Sequence, residues 1–279
     1  MNSFLADAGL IDRFYKENTL QVDWGQWFES EPTINSYHLF KGPSKNSAIT
    51  RYIGNDQFKL VNNKTSIQDI KPQDVLQTCL VDALSDNTIK IVVVTGCAGS
   101  GKSLLAIAYG LDQIKYRTLM YSKPAETIKQ TKFFATVPGS ISEKYAPFLD
   151  SFYISAKKVL GDKSYLDNMI EKGHVVFKPT EFMRGDTYDD TTLIIDESQN
   201  LEWHSTKTAL TRMGENSKVI LLGDTTQKDV RPNDKSGMEL LRSSRTFKNS
   251  SITVDLHLIN DYRSDISRLV SSIDKEISY

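Results

Sequence analysis

Fifteen residues, Ile91 to Leu105, restrict the fold of this chain more than any other stretch. Ile91, Val92, Val93 and Val94 are β-branched and apolar, the composition of a strand covered on both faces. They run into Gly96-Cys97-Ala98-Gly99-Ser100-Gly101-Lys102-Ser103, a loop of the form GxxxxGK[ST], and the apolar residues from Leu104 onward open a helix. The glycines let backbone N–H groups turn inward around a polyphosphate without Cβ clashes. The helix that follows adds the positive end of its dipole to the same anion site. The expected ligand is therefore a nucleoside triphosphate with Mg²⁺. Gly96 to Ser103 wrap the phosphates, Lys102 reaches the β- and γ-phosphates, and the Ser103 hydroxyl ligates the metal.

A strand feeding such a loop needs a parallel sheet around it, and the remaining pattern supplies one. From Lys71 onward, short apolar runs alternate with helical periodicity. Strands are expected near 91–95, 117–122, 174–178, 193–196, 218–222 and 252–256. Helices are expected near 73–84, 102–115, 143–160, 164–171, 205–213 and 237–243. This is an α/β fold, a mostly parallel sheet covered by helices on both faces, whose ligands sit at the carboxyl ends of the strands. Residues 1–65 read differently, as a small N-terminal extension. They carry Trp24, Trp27 and many Asn, Ser and Tyr residues, with strand-like pieces at Tyr37–Phe40 and Gln57–Val61, a turn at Gly42-Pro43-Ser44, and no recognisable chemistry. The nucleotide-binding domain is expected to occupy 66–279.

Two further strand ends carry polar residues suited to phosphoryl chemistry. Thr191 to Ile195 is an apolar strand that ends in Asp196 and Glu197. Asp196 is placed to hold Mg²⁺ against the γ-phosphate, and Glu197 to orient or deprotonate an attacking water. Val219 to Leu222 ends in Gly223-Asp224-Thr225-Thr226-Gln227, where the Gln227 amide both donates and accepts and so suits a γ-phosphate sensor that positions water. Charge developing on a transferring phosphoryl group calls for cations, and Arg184, Arg212 and Arg263 are the candidates. Any one of them would otherwise sit in a surface ion pair.

Composition narrows the setting. The 279 residues carry 34 Lys and Arg against 35 Asp and Glu, so no global charge draws the chain to nucleic acid or membrane. Locally, Lys115 to Lys163 holds nine basic and four acidic residues, a stretch able to meet phosphates through Lys123, Lys129 and Lys132, with Phe133 and Phe134 beside them for stacking. Only two cysteines are present, one of them inside the phosphate loop, and the four histidines form no zinc spacing. With no apolar run of membrane length, the expected location is cytoplasmic.

The ordered series of motifs resembles the PhoH-like family, P-loop NTPases with a RecA-like core related to superfamily 1 helicases. The series comprises GCAGSGKS at 96–103, Lys123-Pro124-Ala125, FMRGDT at 182–187, LIIDESQN at 193–200, LTRMG at 210–214, GDTTQ at 223–227 and KSG at 235–237. The resemblance implies an ATPase, helicase-like, acting on single-stranded RNA or DNA, with Gln77 reading the adenine edge and Gln199 and Gln227 coupling the γ-phosphate to movement. It also implies a homo-oligomer, a ring such as a hexamer, because one RecA-like core leaves the γ-phosphate side open to a neighbour's arginine. Lys123 stands where the family usually has Arg and loses the bidentate fork. Ser198 stands where it usually has Ala. Phage-type members of the family are where an N-terminal extension of this kind is expected. Two other classes remain open: a P-loop kinase acting on a nucleotide or small molecule, and an ATP-dependent binding module with little turnover.

Overall fold

The computed structural model describes residues 1–63, 65–124, 145–183, 185–224, 227 and 234–277. The chain begins with a five-stranded sheet made of β1 (Asn2–Leu5), β2 (Thr19–Gln21), β3 (Tyr37–Lys41), β4 (Ser47–Gly54) and β5 (Gln57–Leu60), in the order β1-β3-β4-β5-β2. All its pairings are antiparallel except β1 with β3. The hairpin between β3 and β4 turns at Gly42-Pro43-Ser44, as the sequence indicates. The helix Ala8–Glu17 packs Ile11 and Phe14 against Phe40, Tyr52 and Phe58 to give this sheet a core of its own. Neither that helix nor the long strand β4 is foreshadowed by the sequence, which marked only the pieces around β3 and β5.

The second sheet is parallel throughout. Its strands are β6 (Ile91–Gly96), β7 (Thr118–Ser122), β8 (Val175–Phe177), β9 (Thr191–Ile195), β10 (Lys218–Gly223) and β11 (Thr253–Leu258), in the order β11-β6-β10-β9-β7-β8. Alternation along each strand covers both faces. Val92, Val94, Ile194, Ile220 and Leu222 face the helices Val75–Ser85, Lys102–Asp112 and Asp150–Leu160. Val93, Leu193, Ile195, Val219 and Leu221 face the side built from Trp203–Thr211 and Gly237–Ser243. Period-two burial on two faces is what makes these strands read as unbroken apolar runs. Because every strand points the same way, the phosphate loop after β6, the acidic pair after β9 and the polar loop after β10 all emerge at one edge. β10 lies between the other two.

The two sheets are fastened by polar contacts. The Tyr37 hydroxyl donates to Asp82 at 2.8 Å, Arg51 pairs with Asp82 at 3.5 Å and with Asp86, and the Asn35 amide donates to Ser251 O and Thr253 O at 2.9 and 3.0 Å. Burial pushes the Asp86 carboxyl up, but hydrogen bonds from Thr88 and Arg51 outweigh it and hold it well below the ordinary range. These contacts seat the helix Val75–Ser85, and that helix carries Asp74 and Gln77 to the phosphate loop. A further element that the sequence does not foreshadow is the helix Asp265–Ile277, with Ile266, Leu269, Val270 and Ile273 exposed along it at helical spacing. Among the described residues, no helix is long and apolar enough to cross a membrane.

Candidate active site

The loop is built around positions that only glycine fills well. A Cβ on Gly96 would strike the Leu258 carbonyl of β11. Gly101 sits at φ +88°, where a Cβ would come within 2.8 Å of the Gln77 amide. The helix Lys102–Asp112 starts directly after this left-handed residue with no side-chain cap, so its first N–H groups are free for an anion. Lys102 Nζ donates to Gly96 O at 2.5 Å and Cys97 O at 2.8 Å, with Ser100 Oγ at 3.4 Å. Burial pushes the Lys102 amine down; Asp224 and Asp196 oppose that.

Across from the loop, the end of β9 presents its two carboxylates differently. Asp196 is buried, its backbone N–H donating to Ser122 O of β7 at 2.9 Å. The Ser103 hydroxyl stands 3.5 Å from both carboxylate oxygens of Asp196, and Tyr121 donates to Oδ2 at 2.7 Å. Burial, then the neighbouring Asp196 charge, push the Tyr121 phenol well above its ordinary range, so it remains a donor. Glu197 adopts φ 55°, a left-handed backbone that non-glycine residues take up mainly where the surroundings impose it. Its carboxylate is held by Gln199, whose Nε2 donates to Glu197 Oε2 at 2.7 Å and to Gln227 O at 3.0 Å. Gln199 Oε1 in turn accepts the Asp224 N–H at 3.1 Å. One amide therefore ties the ends of β9 and β10 together.

These groups share a cavity of about 740 Å³, which also reaches Lys71, Lys158, Tyr262 and Arg263. Mg²⁺ needs one or two hard oxygen ligands and fills its remaining positions with water and phosphate. Ser103 Oγ and the Asp196 carboxylate, both on the cavity wall and aimed at each other, are such a set.

A family model described as PhoH-like protein matches residues 69–274. The chain belongs to the PhoH-like family. PhoH2 of Bacillus subtilis is 30% identical over 275 residues, which is 95% of this chain and 61% of the relative. A PhoH-like protein of Mycobacterium tuberculosis is 33% identical over 236 residues, 84% of this chain and 64% of the relative. The chain thus spans about three-fifths of the length of these relatives. The alignment with PhoH2 takes in most of the N-terminal sheet, for which the sequence by itself offered no family match.

Within this PhoH-like chain, the structure brings most of the expected residues to one place. Ala98 to Ser103, Asp196, Glu197, Gln227, Gln77 and Arg263 all line the cavity. Gly96 and Cys97 turn the chain beneath it and give their carbonyls to Lys102. Gln77 spends part of its amide on the loop: its Oε1 accepts from the Gln73 N–H at 2.8 Å and its Nε2 donates to Ser100 O at 2.9 Å. These bonds brace the loop. Arg263 lays its aliphatic stem over Gly99, while Tyr262 N–H donates to Gly99 O at 3.1 Å and the Tyr262 hydroxyl to Asp74 at 2.6 Å.

Arg212 requires a correction. It was expected on the nucleotide-facing side, but it caps the carboxyl end of Trp203–Thr211, and its carbonyl accepts the Tyr188 N–H at 2.8 Å. The next residue, Met213, bridges Tyr188 just before β9 begins. A helix that crosses over between two parallel strands returns the chain to their amino ends, so Arg212 lies a strand length, roughly 17 Å, from the carboxylates. Arg184, Lys129, Lys132, Phe133 and Phe134 lie outside the described residues. Lys158, on the cavity wall, and Tyr121, which meets the site through Asp196, were missed. No motif marks them, and only the pairing of β7 with β9 and the packing of Asp150–Leu160 bring them in.

Proposed function

We propose that this chain binds ATP with Mg²⁺ in the cavity and hydrolyses it to ADP and phosphate, using the energy on single-stranded RNA or DNA. The observation that supports the reading best is the pairing of Ser103 with Asp196 at 3.5 Å beside a Glu197 carboxylate held by Gln199. Bound Mg²⁺ would neutralise charge on the β- and γ-phosphates. The chain's own groups do the rest. Lys102 exchanges its loop carbonyls for phosphate oxygens, and the free N–H groups at the start of Lys102–Asp112 face the same anion. Glu197 takes the proton of the attacking water, and Gln227, tied to Glu197 through Gln199, stands at the γ-phosphate side. Arg263 supplies a cation from the chain's own cavity wall. Arg212, at the far edge of the sheet, reaches a γ-phosphate only from a neighbouring copy, which a head-to-tail ring provides.

Nucleic acid belongs on the carboxyl edge, where Lys123 of the basic stretch directly follows β7. A kinase needs an acceptor in place of water, and the held Glu197 favours water. The test is ATP turnover by the full chain with no acceptor present, with and without single-stranded RNA and DNA at two salt concentrations. Turnover without an acceptor, stimulated by a single strand and weakened by salt, is expected. Consumption of ATP only when a phosphoryl acceptor is added would replace the ATPase reading with the kinase one.

A further inference from the structure

We propose that Tyr121, braced by Ser151, is the positioning residue for Asp196: its buried hydroxyl fixes the carboxylate in the orientation that faces Ser103 and so sets the metal affinity of the site. This rests on the ATP and Mg²⁺ reading above. Tyr121 belongs to β7 and is paired in register with Ile194 of β9, two residues before Asp196. It is fully buried, with its ring packed against Phe152 at 4.9 Å and Phe177 at 6.5 Å between centroids. A ring enclosed in this way has little rotational freedom, so its hydroxyl marks a fixed point in space.

A phenol has one proton to give and an ionised carboxylate has none, so the 2.7 Å contact is a donation from Tyr121 to Asp196 Oδ2. The Ser151 hydroxyl, 3.2 Å from the Tyr121 oxygen, is then the donor of the second bond. The other carboxylate oxygen, Oδ1, accepts the Glu197 N–H at 3.1 Å. Each oxygen of Asp196 is thus held by one donor, and each keeps a lone pair for Ser103 and the metal. Without the hydroxyl, Oδ2 keeps only the 3.5 Å contact with Ser103 Oγ, and the Glu197 N–H on Oδ1 is the one close donor left to orient the carboxylate. Outer partners of this kind typically change metal affinity by about 10–100-fold.

The chain of bonds runs further. Ser151 lies in the first turn of Asp150–Leu160, and Ile154, Ser155 and Lys158 of the same helix line the cavity. The wall of the cavity and the metal carboxylate are therefore coupled through Ser151 and Tyr121.

Tyr121→Phe removes one oxygen and keeps the ring. In the full chain, binding of a fluorescent ATP analogue without metal is expected to stay within about twofold. The Mn²⁺ concentration that half-saturates the nucleotide-bound protein, read by the paramagnetic resonance of free Mn²⁺, is expected to rise about tenfold or more. Ser151→Ala should move the same midpoint in the same direction by a smaller factor, about two- to threefold. In an Asp196→Asn background, Tyr121→Phe should leave the midpoint where Asp196→Asn alone puts it. A wild-type midpoint in Tyr121→Phe, or an equal further loss in the Asp196→Asn background, overturns the tether. Should Tyr121→Phe not fold, an unmoved midpoint in Ser151→Ala overturns it alone. A wild-type chain that binds no nucleotide overturns the ATP reading instead, and with it the basis of the proposal.

Discussion

Lys102 and Lys218 make the same bonds at opposite edges of one sheet. Lys102, after β6, donates to Gly96 O, Cys97 O and Ser100 Oγ. Lys218, which opens β10, donates to Ala83 O at 3.1 Å, Leu84 O at 2.5 Å and Asp86 O at 2.9 Å, and lies 5.0 Å from the centre of the Tyr109 ring. The surroundings separate them. Lys102 opens on a cavity and has Asp196, Glu197 and Asp224 as nearby charges, so its carbonyl contacts can be exchanged for an anion. Lys218 is 0% exposed, and Arg117, Lys90 and Arg51 outweigh the opposing Asp86 and add to the burial that pushes its amine down to about 7. Its acceptors lie at the end of the helix Val75–Ser85, where carbonyls lack partners within the helix. A lysine nitrogen on backbone carbonyls is thus a poised ligand group at one edge and a structural pin at the other. What decides between them is solvent access and the sign of the neighbouring charge.

The largest expected effect lies at the open edge. Lys102→Ala should lower ATP turnover by roughly 10³-fold or more, the scale for losing a cation on a transferring phosphoryl group. Lys102 itself lines the cavity, so water can take its place on the loop carbonyls and the melting temperature should stay within a few degrees. Unchanged turnover would place Lys102 with Lys218 as a pin and erase the contrast. Glu197→Gln comes next. The amide keeps the shape and an oxygen for the Gln199 donor, so nucleotide binding should persist while hydrolysis slows by roughly 10²-fold or more. If Glu197→Gln turns over normally while Asp196→Asn does not, the proton acceptor lies elsewhere and Gln227 positioning water becomes preferable.

The arginines repeat the contrast, with Arg263 in the cavity wall and Arg212 near the amino ends of β9 and β10. Mixing Lys102→Ala with Arg212→Ala, each inactive alone, should restore activity at about a quarter of subunit contacts in an equal mixture, because an intact loop then meets an intact arginine. Mixing Lys102→Ala with Arg263→Ala should restore none, since both groups serve one cavity. No recovery in the first mixture, with full activity of wild type at high dilution, would show a site complete within one chain.

The sequence made the open edge legible and the closed edge nearly invisible, for a physical reason. A phosphate loop has to combine glycines, lysine and serine at fixed spacing after a strand, so GCAGSGKS at 96–103 announces both its fold and its ligand. The inner strands around it announce themselves because burial on two faces keeps polar residues to their ends. Tyr121 and Lys218 act through partners distant in the chain, Asp196 and the carbonyls of Ala83 and Leu84, and no spacing encodes those meetings. Arg212 was misplaced because its motif fixes its neighbours but not which edge the crossover returns it to. The N-terminal sheet was half read: Tyr37 and Phe58 sit in short alternating pieces, whereas β4, Ser47–Gly54, is buried along most of its length and shows no alternation.

The smallest expected effect on function lies at the closed edge. Lys218→Met keeps the length of the side chain and removes the titrating group. The folded amine, held at about 7, lies below its unfolded value near 10.4, so the unfolded chain binds the extra proton between those values. Stability from Lys218 is therefore greatest above the unfolded value and is lost as pH falls through the folded one. Measured as melting temperature, wild type should gain on Lys218→Met by roughly 10 °C between about pH 7 and pH 10, with the whole linkage worth roughly 5 kcal/mol. ATP binding should not differ between the two. A gap that stays flat with pH would mean that the three carbonyls hold Lys218 as an ammonium throughout. The two lysines would then differ only in access, and not in the charge their surroundings favour.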